Sequence, residues 1–296
     1  MRKIILKNTQ SPGDILCFSR AVAEIKETFP DWKIDVRSPC NEIFENSPRI
    51  TKLDDADPTV EIITLENKWV HQSGGSGIHF AEGYVREAEE KLKVPLKRTG
   101  LRPELWISDL EKSWINQVQT AFGYRGKFWV INAGYKSDCW LKYYPFWKEV
   151  AKLLKDKIQL VQVGHEDHIH PNLEDEGVLN LIGKTDLREL IRLMYHAEGT
   201  IGPISFQMHV SAAFMQPAVV VAGGKEPVRW EYYPNHQYLA VNGCLKCARG
   251  DGCWKAKKED CVNLVGRYPR CYVMIKPEQV AQAVLNYYDG GYLSYG

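Results

Sequence analysis

Cys244, Cys247, Cys253 and Cys261 fall within eighteen residues, and Cys271 follows ten further on. The first two form C-x-x-C, whose narrow bite suits a tetrahedral thiolate site. Four thiolates close a structural Zn site, and the same set can hold Fe. The surrounding stretch, 242–271, is rich in Gly and Lys and poor in apolar residues, so a bound ion would supply ordering that no core provides. On this reading Cys271 is a free thiol or spare ligand. Unligated thiols, or disulfides in an oxidising compartment, are the alternatives. A redox C-x-x-C fits less well, because the flanks do not read as a βαβ unit. Lys246, Arg249, Lys255, Lys257 and Lys258 beside Trp254 leave a nucleic-acid-binding zinc knuckle open, against a plain solvated basic loop.

A second chemistry is suggested by the stretch from Ile201 to Pro217. A turn marked by Gly202 and Pro203 precedes a short helix of small residues, Met208 to Phe214. Pro217 ends it, and Ala218 to Ala222 reads as a buried parallel strand. Such a turn sets backbone N–H groups and a helix N-terminus at the carboxyl edge of a sheet, where α/β proteins hold phosphate. An ordinary helix–strand connection has the same signature. Glu166, just after Gly164 at a strand end, stands where acidic residues take ribose hydroxyls. His165, His168 and His170 around it alternate without a settled ligand geometry and read as loop residues. Ser73 to Gly77 reads as a flexible tip rather than a phosphate cradle, because no apolar strand runs into it. Asp14 follows Gly13 at a helix start, a position that suits capping.

The elements that position these residues are those of an α/β protein. Lys3 to Leu6 reads as a strand, Ile15 to Phe29 as a helix, and Ile34 to Val36 as the next strand. The strand Val60 to Leu65 and the helices His79 to Lys93 and Ser113 to Phe122 follow. After residues 124–127 the pattern restarts with the strand Phe128 to Ile131, the helix Phe146 to Leu154 and the strand Leu160 to Val163. Thr185 or Asp186 then caps a helix running to Ala197. The 296 residues suit two domains, with the boundary at 124–127. With 38 basic and 37 acidic residues, bulk charge predicts no attraction to nucleic acid or anionic membrane. The N-terminal apolar run is too short for a signal peptide and no stretch approaches a membrane span, so a cytoplasmic protein with reduced thiols is expected.

From Lys3 to Pro234 the order of these motifs resembles glycosyltransferase family nine, the ADP-heptose lipopolysaccharide heptosyltransferases and their relatives. Residues 13–36, GDILCFSRAVAEIKETFPDWKIDV, resemble the family opening: Gly-Asp, an apolar pair, and Lys-x-x-Phe-Pro before a strand. Ala133-Gly134 and Lys142-Tyr143-Tyr144-Pro145 resemble its Pro-Gly turn and its Lys-Arg-Trp-Pro. Gly183-Lys184-Thr185-Asp186-Leu187 resembles its Gly-Lys-Thr-Ser-Leu box. Ser205, Met208 and His209 match its Asp-Ser-Gly-Pro-Met-His turn, with Ile204, Phe206 and Gln207 in place of Asp, Gly and Pro. Gly223 to Pro227 matches a later family segment in position more than in letters. A related group, the bacterial autotransporter heptosyltransferases, is similar in carrying a cysteine-held metal late in the chain.

The resemblance implies two Rossmann-like domains facing across a cleft, the GT-B fold. These are residues 1–123 on the acceptor side, 127–276 on the nucleotide-sugar side, and a helix in 277–296 packing back toward the first. It implies inverting transfer of a heptose or hexose from a nucleotide-diphosphate-sugar, an ADP-sugar above all, to an acceptor hydroxyl. Asp14 is then the general base and Lys142 the cation on the donor diphosphate. Gly13, Gly134, Glu166, Lys184, Thr185, Ser205, Met208 and His209 form the donor site, and no catalytic metal is expected. The acceptor stays open among glycan, lipid-linked, protein and nucleic-acid hydroxyls. The altered turn at Ile204 and Phe206 keeps a non-catalytic nucleotide-sugar-binding protein as the alternative.

Overall fold

Ile4, Ile5 and Leu6 are apolar without alternation, so the strand they form must be covered on both faces. All three are fully buried in β1 (Lys3–Lys7). The computed structural model describes residues 2–71, 77–241, 245, 247, 253 and 261–288, and the chain divides into two α/β units, Met1–Lys112 and Ser113–Gly296.

In the first unit β1 is the centre of a parallel sheet of order β2-β1-β3, with β2 at Lys33–Arg37 and β3 at Val60–Thr64. Between β1 and β2 runs α1 (Pro12–Thr28). Ser11 stands at its N-cap and Pro12 opens the helix, where a missing N–H costs nothing. Its residues Ile15 to Ile25 are buried, partly against α3 (Phe80–Leu92), which follows the four-residue α2 (Lys68–His71). The helix expected over Ser113 to Phe122 is two helices, α4 (Asp109–Ser113) and α5 (Gln117–Phe122). Asn116 caps the second by accepting from Gln119 N, which forces a break before it.

The second unit holds six parallel strands in the order β6-β5-β4-β7-β8-β9. From β4 (Phe128–Ile131) the chain passes through α6 (Trp147–Leu154) to β5 (Gln159–Gln162) and the edge strand β6 (Leu179–Asn180). Helix α7 (Leu187–His196) returns it to the far side of β4, where β7 (Gly199–Pro203), α8 (Phe206–Ala213), β8 (Ala218–Gly223) and β9 (His236–Ala240) build outward. The order therefore reverses between β4 and β7. In such sheets that switch point opens a crevice at the carboxyl ends.

The division at Lys112/Ser113 lies ahead of the boundary read from the sequence. Helix α5 sides with the second unit because Gln117 Nε2 donates to the Glu189 carbonyl in α7. After a short α9 (Arg270–Val273), α10 (Pro277–Leu285) packs on α6 and β8 of its own unit. Val280, Ala281, Ala283 and Val284 join Trp129, Trp147 and Tyr272 in one core, and Gln237 Nε2 donates to the Ala283 carbonyl. The apolar face of the helix is spent there. No helix among the described residues is long and apolar enough to cross a membrane.

Candidate active site

In the first unit Asp14 is the third residue of α1 and Gly13 the second. Ser11 Oγ donates to Asp14 Oδ2, and His71 Nε2 lies 3.0 Å from Asp14 Oδ1. The carboxylate thus faces side chains, beyond the capping role that its position alone suggested. It is partly open, with 15% of its side-chain surface exposed. Beneath it Tyr84 is buried, and that burial together with the Asp14 charge raises its phenol well above the ordinary value, so it stays neutral.

In the second unit the carboxyl ends of β4 and β7 meet at the switch point. Asn132, just past β4, donates from Nδ2 to Gln207 Oε1 (3.1 Å) and Ser205 Oγ (3.4 Å), while its Oδ1 accepts from Gly134 N (3.1 Å). Ser205 Oγ donates to Gln207 Oε1, and Gln207 Nε2 donates to the Pro203 carbonyl. Gly202 makes room for this amide: a Cβ there would stand 2.2 Å from Gln207 Nε2. Gln207, which replaces a family proline, is therefore the hub that ties the two strand ends together, and its long amide had no local signal in the sequence.

The other candidate residues divide. Met208 and His209 point inward. Met208 is packed in a cluster with Ile204 and Tyr233, its N–H donates to the Ser205 carbonyl, and His209 Nδ1 shares a 2.8 Å hydrogen bond with Tyr233 OH. Gly134 and Gly164 flank the His170 imidazole, and a Cβ on either would fall within 2.2 Å of that ring. His170 Nε2 donates to the His165 carbonyl, which fixes the ring there. Glu166 is exposed and sits beside Gly183, whose N–H bonds the Gly164 carbonyl. Lys184 donates to the Asn180 carbonyl and lies over the Phe122 ring, with Thr185 half-buried next to it. Asp186, not Thr185, caps α7, in a reciprocal capping box with Glu189.

Lys142 ends a short 3-10 turn, Ser137–Lys142, and its Nζ lies 2.7 Å from Glu226 Oε1. Glu226 follows β8 and is buried. Burial by itself opposes charge on this lysine, but Glu226 and Glu231 outweigh it and push the ammonium well above its ordinary value. Lys142 is therefore a fixed cation at the β4 and β8 ends. The resemblance singled out the lysine, and nothing in the sequence paired it with Glu226.

Cys247, Cys253, Cys261 and Cys271 line one cavity of about 20 Å³, with Asn263 and Lys225 among its walls. Cys244 lies outside the described residues. Asn263 Nδ2 donates to Cys247 Sγ at 3.9 Å, and Cys253 N donates to the Lys225 carbonyl at 2.9 Å. Burial raises the Cys253 thiol, and burial pushes Cys271 up to about 11, with Cys253 and Cys261 adding to it. These sulfurs are mutually repelling as thiolates, which is the donor chemistry a soft cation relieves. Among the described residues no three Cys, His, Asp or Glu side chains stand at ligating spacing. The donors are thiols, a type that suits a thiophilic ion. Cys271, read from the sequence as spare, faces the same cavity as the others.

The sequence profile of glycosyltransferase family 9 (heptosyltransferase) matches residues 81–257. The chain belongs to glycosyltransferase family 9. Among solved structures, the family 9 glycosyl transferase from Veillonella parvula is similar at a TM-score of 0.67 and 16% identity, over 96% of each chain. ADP-heptose LPS heptosyltransferase II from E. coli is similar at 0.63 and 18%, over 96% of this chain and 97% of its own. The iron-containing dodecameric heptosyltransferase TibC, solved with ADP-D-β-D-heptose, is similar at 0.68 and 18%, over 98% of this chain and 76% of its own. No curated protein matches the sequence. At these identities the structures speak for the fold, two α/β units of the GT-B class, while the profile match makes this family 9 chain a glycosyltransferase.

Proposed function

We propose that the protein transfers a sugar, with inversion, from an ADP-linked donor to an acceptor hydroxyl. The observation that carries this reading is the side-chain network at the β4–β7 switch point. Asn132, Ser205 and Gln207 converge there at the N-terminus of α8, with the Lys142 ammonium at the neighbouring strand ends. A diphosphate bears negative charge that grows as its bond to the sugar breaks. Hydroxyl and amide dipoles, a helix N-terminus and a lysine favour that charge without reorganising. Lys142 has three N–H donors. One held by Glu226 leaves two for phosphate and keeps the head group in place. Glu166, exposed beyond β5, is the candidate for the ribose hydroxyls. In the first unit Asp14 accepts the acceptor's proton as its oxygen attacks the anomeric carbon.

The solved relatives named above as ADP-heptose enzymes support an adenine nucleotide and a heptose, with a hexose next. A panel of ADP, UDP, GDP and ADP-heptose in a thermal-shift measurement tests the donor. A ligand that binds only the native state raises the midpoint by mass action, so ADP and ADP-heptose should lead the panel. A midpoint raised only by UDP or GDP would replace the donor assigned here.

The same reading includes a structural ion in the thiol cavity, held by Cys247, Cys253, Cys261 and Cys271, with iron or zinc as the candidates. Such an ion stabilises the loop by lowering the thiolates' mutual repulsion and takes no part in transfer. Elemental analysis of protein purified without a histidine tag should give about one equivalent per chain, and Cys271→Ser should reduce it as far as Cys247→Ser does. Full metal content in Cys271→Ser would exclude that thiol from the site.

A further inference from the structure

We infer that His71 is the positioning residue of the acceptor-activating carboxylate. Its imidazole and the Ser11 hydroxyl clamp Asp14 in the orientation that proton transfer requires. The inference rests on the reading of Asp14 as general base.

The geometry is specific. Ser11 reaches Oδ2 from the N-cap of α1, and His71 Nε2 reaches Oδ1 at 3.0 Å from α2, across 57 residues of sequence. A helix of four residues cannot hold an imidazole in place by its own hydrogen bonds. Here the support comes from below. The Glu87 carboxylate, 1% exposed, accepts from Glu66 N (3.0 Å) and Asn67 N (2.6 Å) at the start of α2, and pairs with Lys91 (2.8 Å). Asn67, itself buried, donates to the Phe80 carbonyl, and its own carbonyl accepts from His71 N at 3.0 Å. Phe80 sets its ring edge-on to the imidazole, 5.5 Å between centroids at 87°. Gly83, in the first turn of α3, opens the space: a Cβ there would stand 2.0 Å from Asn67 Oδ1.

Burying a carboxylate and placing glycine inside a helix both cost stability, the second about 1 kcal/mol. Neither is needed for an ordinary surface ion pair, which contributes little. Both are explained if the direction of the His71 N–H matters. In the step itself the acceptor O–H bond breaks and its proton goes to Asp14. The oxygen's electron pair forms the new bond at the anomeric carbon, and the bond to the diphosphate breaks with its pair leaving on ADP. An imidazole N–H can aim the carboxylate while neutral. A lysine or arginine in its place would stabilise the ionised form and weaken the base.

The test uses full-length protein with ADP-heptose as donor probe and water as the acceptor, reading ADP release, and calorimetry with ADP for binding. His71→Ala should lower kcat about 10- to 100-fold with the ADP dissociation constant unchanged, as misdirection of a reacting group does. His71→Gln, whose amide can present an N–H near the place of Nε2, should return to within about threefold of wild type, an effect that general damage to packing would not show. Equal melting midpoints in the two variants establish that both are folded. If Asp14→Asn is inactive while His71→Ala turns over at the wild-type rate, the inference falls and the base assignment stands. An impairment in His71→Gln as deep as in His71→Ala also overturns it. Full activity in Asp14→Asn, or no ADP release by the wild type, removes the reading beneath it.

Discussion

Asp14 and Lys142 are both charged side chains about 3 Å from an oppositely signed or ionisable partner, yet the two environments treat charge in opposite ways. Asp14 is partly open, and its carboxylate oxygens meet the Ser11 hydroxyl and the His71 imidazole. Lys142 faces the buried Glu226, and Glu231 adds to the field that keeps it protonated. The first arrangement leaves the carboxylate partly open to solvent. The second holds a cation through any ordinary pH. On the proposed function, Asp14 is the general base and Lys142 the electrostatic clamp, and the two roles ask for these different surroundings.

The largest effect should come from removing the proton acceptor. Asp14→Asn keeps the shape of the side chain and cannot take the proton, so transfer should fall about 100- to 10,000-fold, with ADP affinity nearly unchanged by calorimetry. A large loss of ADP affinity would erase the contrast, because Asp14 would then act on the donor as Lys142 does.

Lys142→Ala comes next and should act on binding and on stability together. ADP should bind more weakly while adenosine binds as before. Truncating the half-buried lysine also costs stability, up to about 3–5 kcal/mol, since the Glu226 carboxylate stays buried after its lysine is gone. The double variant Lys142→Met with Glu226→Gln should recover the melting midpoint without recovering ADP affinity. Recovery of both would mean that the lysine serves the fold alone.

A third ionisable group gives the smallest effect and isolates burial from pairing. His236 in β9 lies buried among the Tyr233 and Tyr238 rings, and desolvation lowers it to about 3. The unfolded chain binds this proton below about pH 6.5 while the folded chain does not. Stability from this group is therefore intact above about 6.5 and lost as pH falls toward 3, at up to about 1.4 kcal/mol per unit. His236→Phe should flatten the melting midpoint between pH 6.5 and 4.5 relative to wild type. An unchanged slope would assign the acid sensitivity to other groups.

Much of this was legible from the sequence because it is written in local period and spacing. The apolar runs at Ile4 to Leu6, Trp129 to Ile131 and Val219 to Val221 read as strands, the last as a buried parallel one, and all are buried. Gly183 and the Thr185-Asp186 pair announced the start of α7 from the sequence, and the capping box with Glu189 chose Asp186. The order of the motifs, Asp14 through Ser205, identified the family. The helix α10 was also visible, but its docking was not, since an amphipathic face states that it must be covered and not by what.

What only the tertiary structure decided is which distant groups share a site. His71 reaches Asp14, Glu226 reaches Lys142, Gln207 joins β4 to β7, and Cys271 turns to the cavity of the other thiols. The physical reason is that hydrophobic period and capping are short-range codes, satisfied within a turn or a strand. Partner choice depends on strand order and on which helix covers which edge, and those are set by the sum of all the packing at once. The N–H of Met208 illustrates the limit from the other side: its residue type matched the family turn, and the folded backbone gave its hydrogen to Ser205.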